Sequence, residues 1–313
     1  MPGGALIGRL RGPAVAAALL VAASAAAGCG LGPGADVGSV DLTVTHDFGT
    51  VAVLEEEVGD VRESATVMRV LEGAAEVTTR YGGGFVQSID GTEGAQRGGR
   101  AYDWLFFVNG VESPVGAADF SLRGGERIWW DYRDWTAASR VPAVVGSFPA
   151  PLVGGYDGGP RPVALLCEGG GSACGVARAA LEDAGVELSP AGSGGAIRVL
   201  VGPWDRIRSD PAAAQLSSGP AESGVFARFE ATRGGERLRG LDPAGGVGRD
   251  FAPDAGLVAA TRRLEAPPTW LVTGATAAAV SAAAAALTEA RLRDHYAAAV
   301  EGGRTTPLPV GAR

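Results

Sequence analysis

Residues 101–135 read AYDWLFFVNGVESPVGAADFSLRGGERIWWDYRDW and hold four of the six tryptophans of the chain. The run Asp103–Asn109 is apolar and aromatic. It ends in Asn109-Gly110, a dipeptide that tolerates the positive φ angles of a tight hairpin turn. The run Arg127–Tyr132 is entered through Gly124-Gly125 and alternates loosely. The spacing predicts two strands of one small sheet, Trp104–Val108 and Ile128–Tyr132, with a loop between them carrying Pro114, Gly116 and Phe120. Alternation puts Trp104, Phe106 and Val108 on one side and Leu105 and Phe107 on the other; Trp130 and Tyr132 share a side that Trp129 does not. Both faces therefore carry aromatics. One can pack on a helix, and the other needs a ligand, a second domain or a partner protein to cover it.

Upstream, Val40–Val44 and Thr50–Leu54 flank the turn-like Asp47–Gly49 and suggest an opening hairpin. Glu55-Glu56-Glu57 is a solvated acidic edge in this reading. Thr66–Val77 is a helix candidate whose apolar face is Val67, Val70, Leu71 and Ala74. Phe85–Ile89 is the next strand, turned by Asp90-Gly91. A strand pair, one helix and further strands make an α+β, beta-grasp-like module.

The ordered elements of this region resemble the DUF4430 family, the transcobalamin-like C-terminal domain of exported and cell-surface proteins. They are the helix, Gly84-Phe85-Val86 with Ser88-Ile89 and Gly91, Trp104 with Val108-Asn109-Gly110, Gly116-Ala117, and a close on Leu122, Gly124-Gly125, Ile128, Trp130 and Tyr132. The resemblance spans about Val40 to Asp134. It departs at Gly124-Gly125-Glu126, where the family usually has Gly-Asp, which keeps the turn but changes its side-chain bonding. In cobalamin carriers with similar domains this face helps to cover a corrinoid. The resemblance thus implies a binding surface around Trp104, Phe106, Asn109, Trp129, Trp130 and Tyr132, and a corrinoid only by way of the family.

At 313 residues the chain has room for two domains and a sizeable core. It contains 50 glycines, and its 27 basic residues are all arginine, a bias of composition and not of function. The formal net charge of −8 argues against nonspecific nucleic-acid binding, and loss of Arg9 and Arg11 with a leader would make it more negative. That leader is residues 1–28: Arg9 and Arg11, the apolar run Pro13–Ala27, then Ala26-Ala27-Gly28-Cys29. A positive start, an apolar core and small residues at the cleavage point describe an export signal. Gly28-Cys29 resembles the lipobox of bacterial lipoproteins, in which the cysteine becomes the acylated N-terminus. Ala26 stands where Leu or Val is commoner, and ordinary secretion or an uncleaved anchor are the alternatives. The expectation is an exported protein anchored in membrane lipid through Cys29, with 29–39 as a tether.

Residues 136–160 lose periodicity and accumulate Pro, Gly and Ala, which marks a linker between the 40–135 domain and a second one at 161–303, with a tail at 304–313. Val141, Val144, Val145, Phe148 and Leu152 can anchor this linker on a domain surface. The second domain alternates strands (Val163–Cys167, Ile197–Val201, Val225–Glu230, Arg237–Leu241, Trp270–Thr273) with helices (Cys174–Ala184, Leu257–Leu264, Ala275–Leu287, Glu289–Val300). This is an α/β, mixed-sheet layer sandwich. Cys167 and Cys174 suit a disulfide in an exported chain, the alternative being two separate thiols.

Candidate chemistry is sparse. His46 beside Asp47 is a turn or surface histidine, and His295-Tyr296 a helix-surface pair. Gly169-Gly170-Gly171-Ser172 fails the P-loop pattern because there is no lysine. Trp204-Asp205-Arg206 with Arg208 and Asp210 reads as a charged turn, and Thr273–Thr276 as a helix cap. No metal site or cofactor is indicated. Acidic pairs such as Glu56/Glu57 or Asp131/Asp134 cannot be placed across a substrate, so a hydrolase is the least favoured reading. The leading one is a non-enzymatic, membrane-tethered lipoprotein that binds a small molecule, glycan or envelope protein through the aromatic sheet. A structural or assembly lipoprotein is the rival.

Overall fold

The computed structural model describes residues 1–4, 34–169 and 171–312. Cys29 and the expected leader lie outside the described residues. An N-terminal beta-grasp-like module is followed by a mixed α/β module.

The first module opens with a long hairpin, β1 (Asp36–His46) and β2 (Val51–Arg62), so residues 36–39 belong to a strand and not to a tether. Helix α1 (Val67–Ala74) follows. The Thr66 side chain caps it by accepting the Arg69 N–H, and Ala75 ends it in an extended conformation. Then come β3 (Val77–Arg80), β4 (Phe85–Ile89), β5 (Thr92–Glu93), β6 (Ala95–Arg97), β7 (Arg100–Val108), β8 (Val111–Glu112) and β9 (Arg127–Asp134). The main sheet runs β2-β1-β9-β7-β6, with β8 on β7, and β3-β4-β5 form a small second sheet. Strands β1 and β9 lie parallel at its centre, Leu42 facing Ile128 and Val44 facing Trp130. Asn109 and Gly110 have φ of 50° and 70°, the left-handed pair that a two-residue hairpin between Val108 and Val111 requires. Val67, Met68, Val70 and Leu71 of α1 bury against Leu42, Val44, Ile128 and Trp130, which makes one face of the sheet a closed core.

The second module contributes α2 (Ala150–Val153), β10 (Val163–Cys167), α3 (Ser172–Asp183), β11 (Leu188–Ser189), β12 (Ile197–Pro203), α4 (Trp204–Ile207), α5 (Pro211–Ser217), α6 (Pro220–Ser223) and β13 (Ala227–Thr232). It continues with β14 (Gly235–Leu241), β15 (Val247–Asp250), β16 (Gly256–Thr261), β17 (Thr269–Gly274), α7 (Ala277–Ala284), α8 (Glu289–Leu292), β18 (Ala297–Glu301) and β19 (Arg304–Leu308). The sheet order is β11-β10-β12-β17-β16-β18-β19. The first four strands are parallel and the rest antiparallel. Helices α3 and α7 cover one face, while α4, α5 and β13-β14 cover the other.

Three expectations are corrected here. Leu257–Leu264 is not helical: β16 runs through it, and all six of its residues are buried. Glu289–Val300 is a one-turn helix and then β18, and the expected tail supplies the edge strand β19. Alanine favours helix in isolation, but these strands are closely covered by helix, where only small residues fit. A Cβ on Gly256 would lie 2.3 Å from the Ala279 carbonyl oxygen, and one on Gly274 would lie 2.4 Å from the Ala279 Cβ. The composition that mimics a helix is the composition that lets α7 approach the sheet.

The 136–160 segment is a strap and not a loose connection. Val141, Val144, Val145, Phe148 and Leu152 are buried. The Val144 N–H donates to the Gly110 carbonyl at 2.8 Å and the Val145 N–H to the Tyr296 carbonyl at 3.2 Å, so one strand of chain is bonded to both modules. On the face of the first sheet away from α1, Phe48, Phe107 and Trp129 form a single buried cluster with Val141, Val144, Phe226, Leu241 and Tyr296. The second module is the cover that this face needed.

Candidate functional site

The six aromatic and turn residues expected to form one surface are divided: Trp104, Phe106, Trp130 and Tyr132 group on the α1 side, while Trp129 lies on the other face and Asn109 in the hairpin turn. Trp129 lies on the sealed face, 2% exposed, with its Nε1–H donating to Thr45 Oγ1 at 2.8 Å. Asn109 is 1% exposed: its Nδ2 donates to the Gly155 carbonyl and its Oδ1 accepts the Arg127 N–H, each at 2.9 Å. It fixes the hairpin turn and the strap together, away from solvent. Tyr132 is buried on the α1 side, its hydroxyl donating to the Glu93 carbonyl at 2.9 Å.

Trp104, Phe106 and Trp130 are brought together. They border an open depression of about 210 Å³ between the start of β4, the middle of β7 and the loop after β8. Phe106 and Trp130 stack with centroids 4.8 Å apart. Trp104 is anchored by its Nε1–H donating to the Thr92 carbonyl at 2.8 Å. The Trp130 Nε1–H is buried and has no acceptor among the described residues. Buried donors are almost always paired, and Arg133 Nε and Nη2 at the module junction share this condition. Around the depression the surface is apolar: Tyr81 is 87% exposed, Phe85 40% and Val115 46%, and Tyr81 and Phe85 pack edge to face. Phe85, Gly116 and Ala117 were not among the predicted site residues, although they fall in the Gly-Phe-Val and Gly-Ala elements already singled out.

Other polar and ionisable groups take part in the packing of the two modules. His46 packs against Trp104 and Tyr132, ring centroids 5.3 Å from each. His295-Tyr296 is no surface pair; Tyr296 is 2% exposed at the module junction. Its hydroxyl donates to Asp131, which also accepts from Thr45 Oγ1 and the N–H groups of Phe48 and Gly49. Burial pushes the Asp131 carboxyl up against the lowering effect of these donors. Arg133, also fully buried, donates to the carbonyls of Asp134 and Ala138 and lies over the rings of Phe48 and Tyr296. Burial raises Asp294 to about 6, with Glu55 adding repulsion, and lowers His295 to about 4.

In the second module Cys167 and Cys174 are joined in a disulfide across the loop from β10 to α3, with Cα atoms 5.9 Å apart. Burial acts to raise Asp210, but its paired bonds from Arg198 at 2.7 and 2.9 Å, with the Ala212 N–H, hold it below the usual range. Trp204 stacks on Phe229 at 4.6 Å, and Thr276 caps α7 by accepting the Ala279 N–H. Among the described residues no three His, Cys, Asp or Glu side chains converge as a metal site, and no helix is long and apolar enough to cross a membrane.

Fold and depression together define a beta-grasp-like domain docked on an α/β module. Residues 64–134 match the family described as a domain of unknown function, DUF4430, so a DUF4430 domain occupies that stretch. The match begins after the β1–β2 hairpin, although β1 is a central strand of the same sheet. Comparison with curated proteins returns no match. The face carrying Trp129 is closed by the second module, so it offers no open surface to a corrinoid.

Proposed function

We propose that this protein is an extracytoplasmic lipoprotein, held to the membrane through acylated Cys29, whose DUF4430 domain binds a ligand without chemistry. The ligand site is the depression bordered by Trp104, Phe106 and Trp130. The observation that carries the reading is the depression open to solvent whose wall is formed by Trp104, Phe106 and Trp130 beside the half-exposed Phe85. A concave, aromatic wall is the usual lining of a small-molecule site, and no assembled nucleophile or acid–base pair borders it.

Native mass spectrometry of the purified full chain for a retained small molecule tests the site. Trp130→Phe cuts back one aromatic wall while keeping a ring there, and Phe106→Ala removes the ring stacked on it. Both variants should keep the fold by circular dichroism and lose the retained molecule. Equal retention by wild type and both variants rejects the site. For the anchor, Cys29→Ser should release the protein from the membrane fraction or block leader cleavage, and unchanged attachment rejects acylation there.

A structural or assembly role is the second reading. Its support is the burial of Phe107 and Trp129 against Phe226, Leu241 and Tyr296, which consumes much of the aromatic surplus in holding the two modules as one body.

A further inference from the structure

We infer that the end of the molecule holding the start of β1 rests on anionic lipid head groups through Arg123, Arg161, Arg263 and Leu264, an inference that rests on the Cys29 anchor proposed above.

Chain length sets the distance. Cys29 and Asp36, where β1 begins, are 7 positions apart in sequence. Fully extended, that chain reaches at most about 25 Å, so an acylated Cys29 keeps the start of β1 close to the bilayer. Strand β1 has 11 residues, about 35 Å at the rise of a strand. Beyond its far end Phe48 packs with Phe226 and Leu241, and Leu241 pairs with Val247. Val247 thus stands at the opposite end of β1 from the anchor.

Three further segments meet at the near end. Gly124 abuts the start of β1, where a Cβ would overlap the Val37 carbonyl oxygen. Its neighbour Arg123 reaches the turn that closes the strap, with Nη1 where a Gly159 side chain would lie. Beside that turn the guanidinium groups of Arg161 and Arg262 lie over the Tyr156 ring, each 5.1 Å from its centroid. Arg262 opens the loop between β16 and β17, and Arg263 and Leu264 follow it.

The charge of this end is only partly spent. Arg262 pairs with Asp157 at 3.3 Å and with Glu265 at 3.8 Å. Arg123, Arg161 and Arg263 are exposed and hold no ion pair among the described residues. The other acids here are Asp36 and Glu63, where the chain enters beside Arg62, and Glu126, which is buried and accepts the Arg123 N–H. A negative lipid surface repels a chain of formal charge −8, and is met best by an end that offers unpaired arginines. Leu264 is 87% exposed with φ of 48°, a conformation rare for a bulky residue. In water its side chain gains nothing from that position. At a bilayer it enters the apolar boundary while Arg263 stays at the head groups.

The acylated full chain is reconstituted in vesicles of phosphatidylcholine and phosphatidylglycerol with brominated acyl chains, which quench nearby indoles. Flotation with the vesicles reports the anchor, and wild-type fluorescence is subtracted from that of Leu264→Trp and Val247→Trp. The fluorescence added by Leu264→Trp should be largely lost to bromine, and that added by Val247→Trp retained. Placing Arg161→Glu and Arg263→Glu together in Leu264→Trp should restore its fluorescence, as should vesicles of phosphatidylcholine alone. Floating protein in which Leu264→Trp is unquenched, or quenched no more than Val247→Trp, overturns the surface and leaves the anchor in place. Quenching that survives both charge reversal and the loss of phosphatidylglycerol overturns the contact with anionic head groups. Protein that does not float overturns the anchor and this inference with it.

Discussion

The Tyr296 hydroxyl donates to the Asp131 carboxylate at 2.8 Å, joining a central strand of the first sheet to the segment entering β18 of the second. The same carboxylate receives Thr45 Oγ1 at 2.6 Å and two backbone N–H groups of the β1–β2 turn. One buried acid thus organises the turn and the module junction at once. Tyr296→Phe should lower unfolding stability by about 1–3 kcal/mol, because it removes a hydrogen bond to a buried acid without opening space. Asp131→Ala should cost more, about 3–5 kcal/mol, since it strands the donors and leaves Arg133 without its nearby acid. Urea denaturation of the two variants checks both the size and the order; an unaffected Tyr296→Phe would mean that the junction is held by packing alone.

Asp294 and His295 are adjacent and titrate with opposite consequences. The Asp294 carboxyl is raised to about 6, so its protonation favours the folded form. That contribution is full below the ordinary value near 3.8 and is lost as pH rises through about 6. Imidazole at His295 is lowered to about 4, so the folded form resists its protonation, and stability is lost as pH falls from the ordinary 6.5 through about 4. Asp294→Asn should therefore lose stability relative to wild type as pH is lowered across this window. His295→Gln should gain relative to wild type over the same range. Melting temperatures from pH 7 to 4 test both signs, and parallel curves for all three proteins would refute the assignment.

The disulfide between Cys167 and Cys174 closes a loop with a sequence separation of 7. Chain-entropy reasoning for so short a loop gives about 2–3 kcal/mol. Replacing both cysteines by serine should lower stability by that amount and abolish the effect of reductant on the melting temperature. A wild type indifferent to reductant would contradict it.

Gly274 sits where β17 meets α7, with no room for a side chain. Gly274→Ala should destabilise the second module by about 1–3 kcal/mol through overpacking. Ala282→Val, on the same helix but at a partly exposed position, should have a smaller effect. Thermal unfolding of the pair distinguishes close packing from a general intolerance of bulk along α7.

Much of the first module was legible in sequence because its signals are local. The Asn109-Gly110 turn, the alternation of Trp104 to Val108 and the apolar face of α1 each follow from neighbouring residues, and the structure keeps them. What lies opposite a face is not local. Nothing near Trp129 says that Tyr296 will cover it, and nothing near Trp130 says that its own N–H will be left without a partner. The same blindness explains β16 and β18. Leu257 to Thr261 and Ala297 to Val300 are short apolar runs whose residues are buried, and in such runs the periodicity that separates strand from helix disappears.

The parallel pairing of β1 with β9 has a mechanical consequence. The chain enters the first module at the start of β1 and leaves it at the end of β9, and because the two strands point the same way these are opposite ends of the pair. Tension applied between the leading segment and the second module therefore loads the interstrand bonds in shear, many at a time, where an antiparallel exit would let them unzip singly.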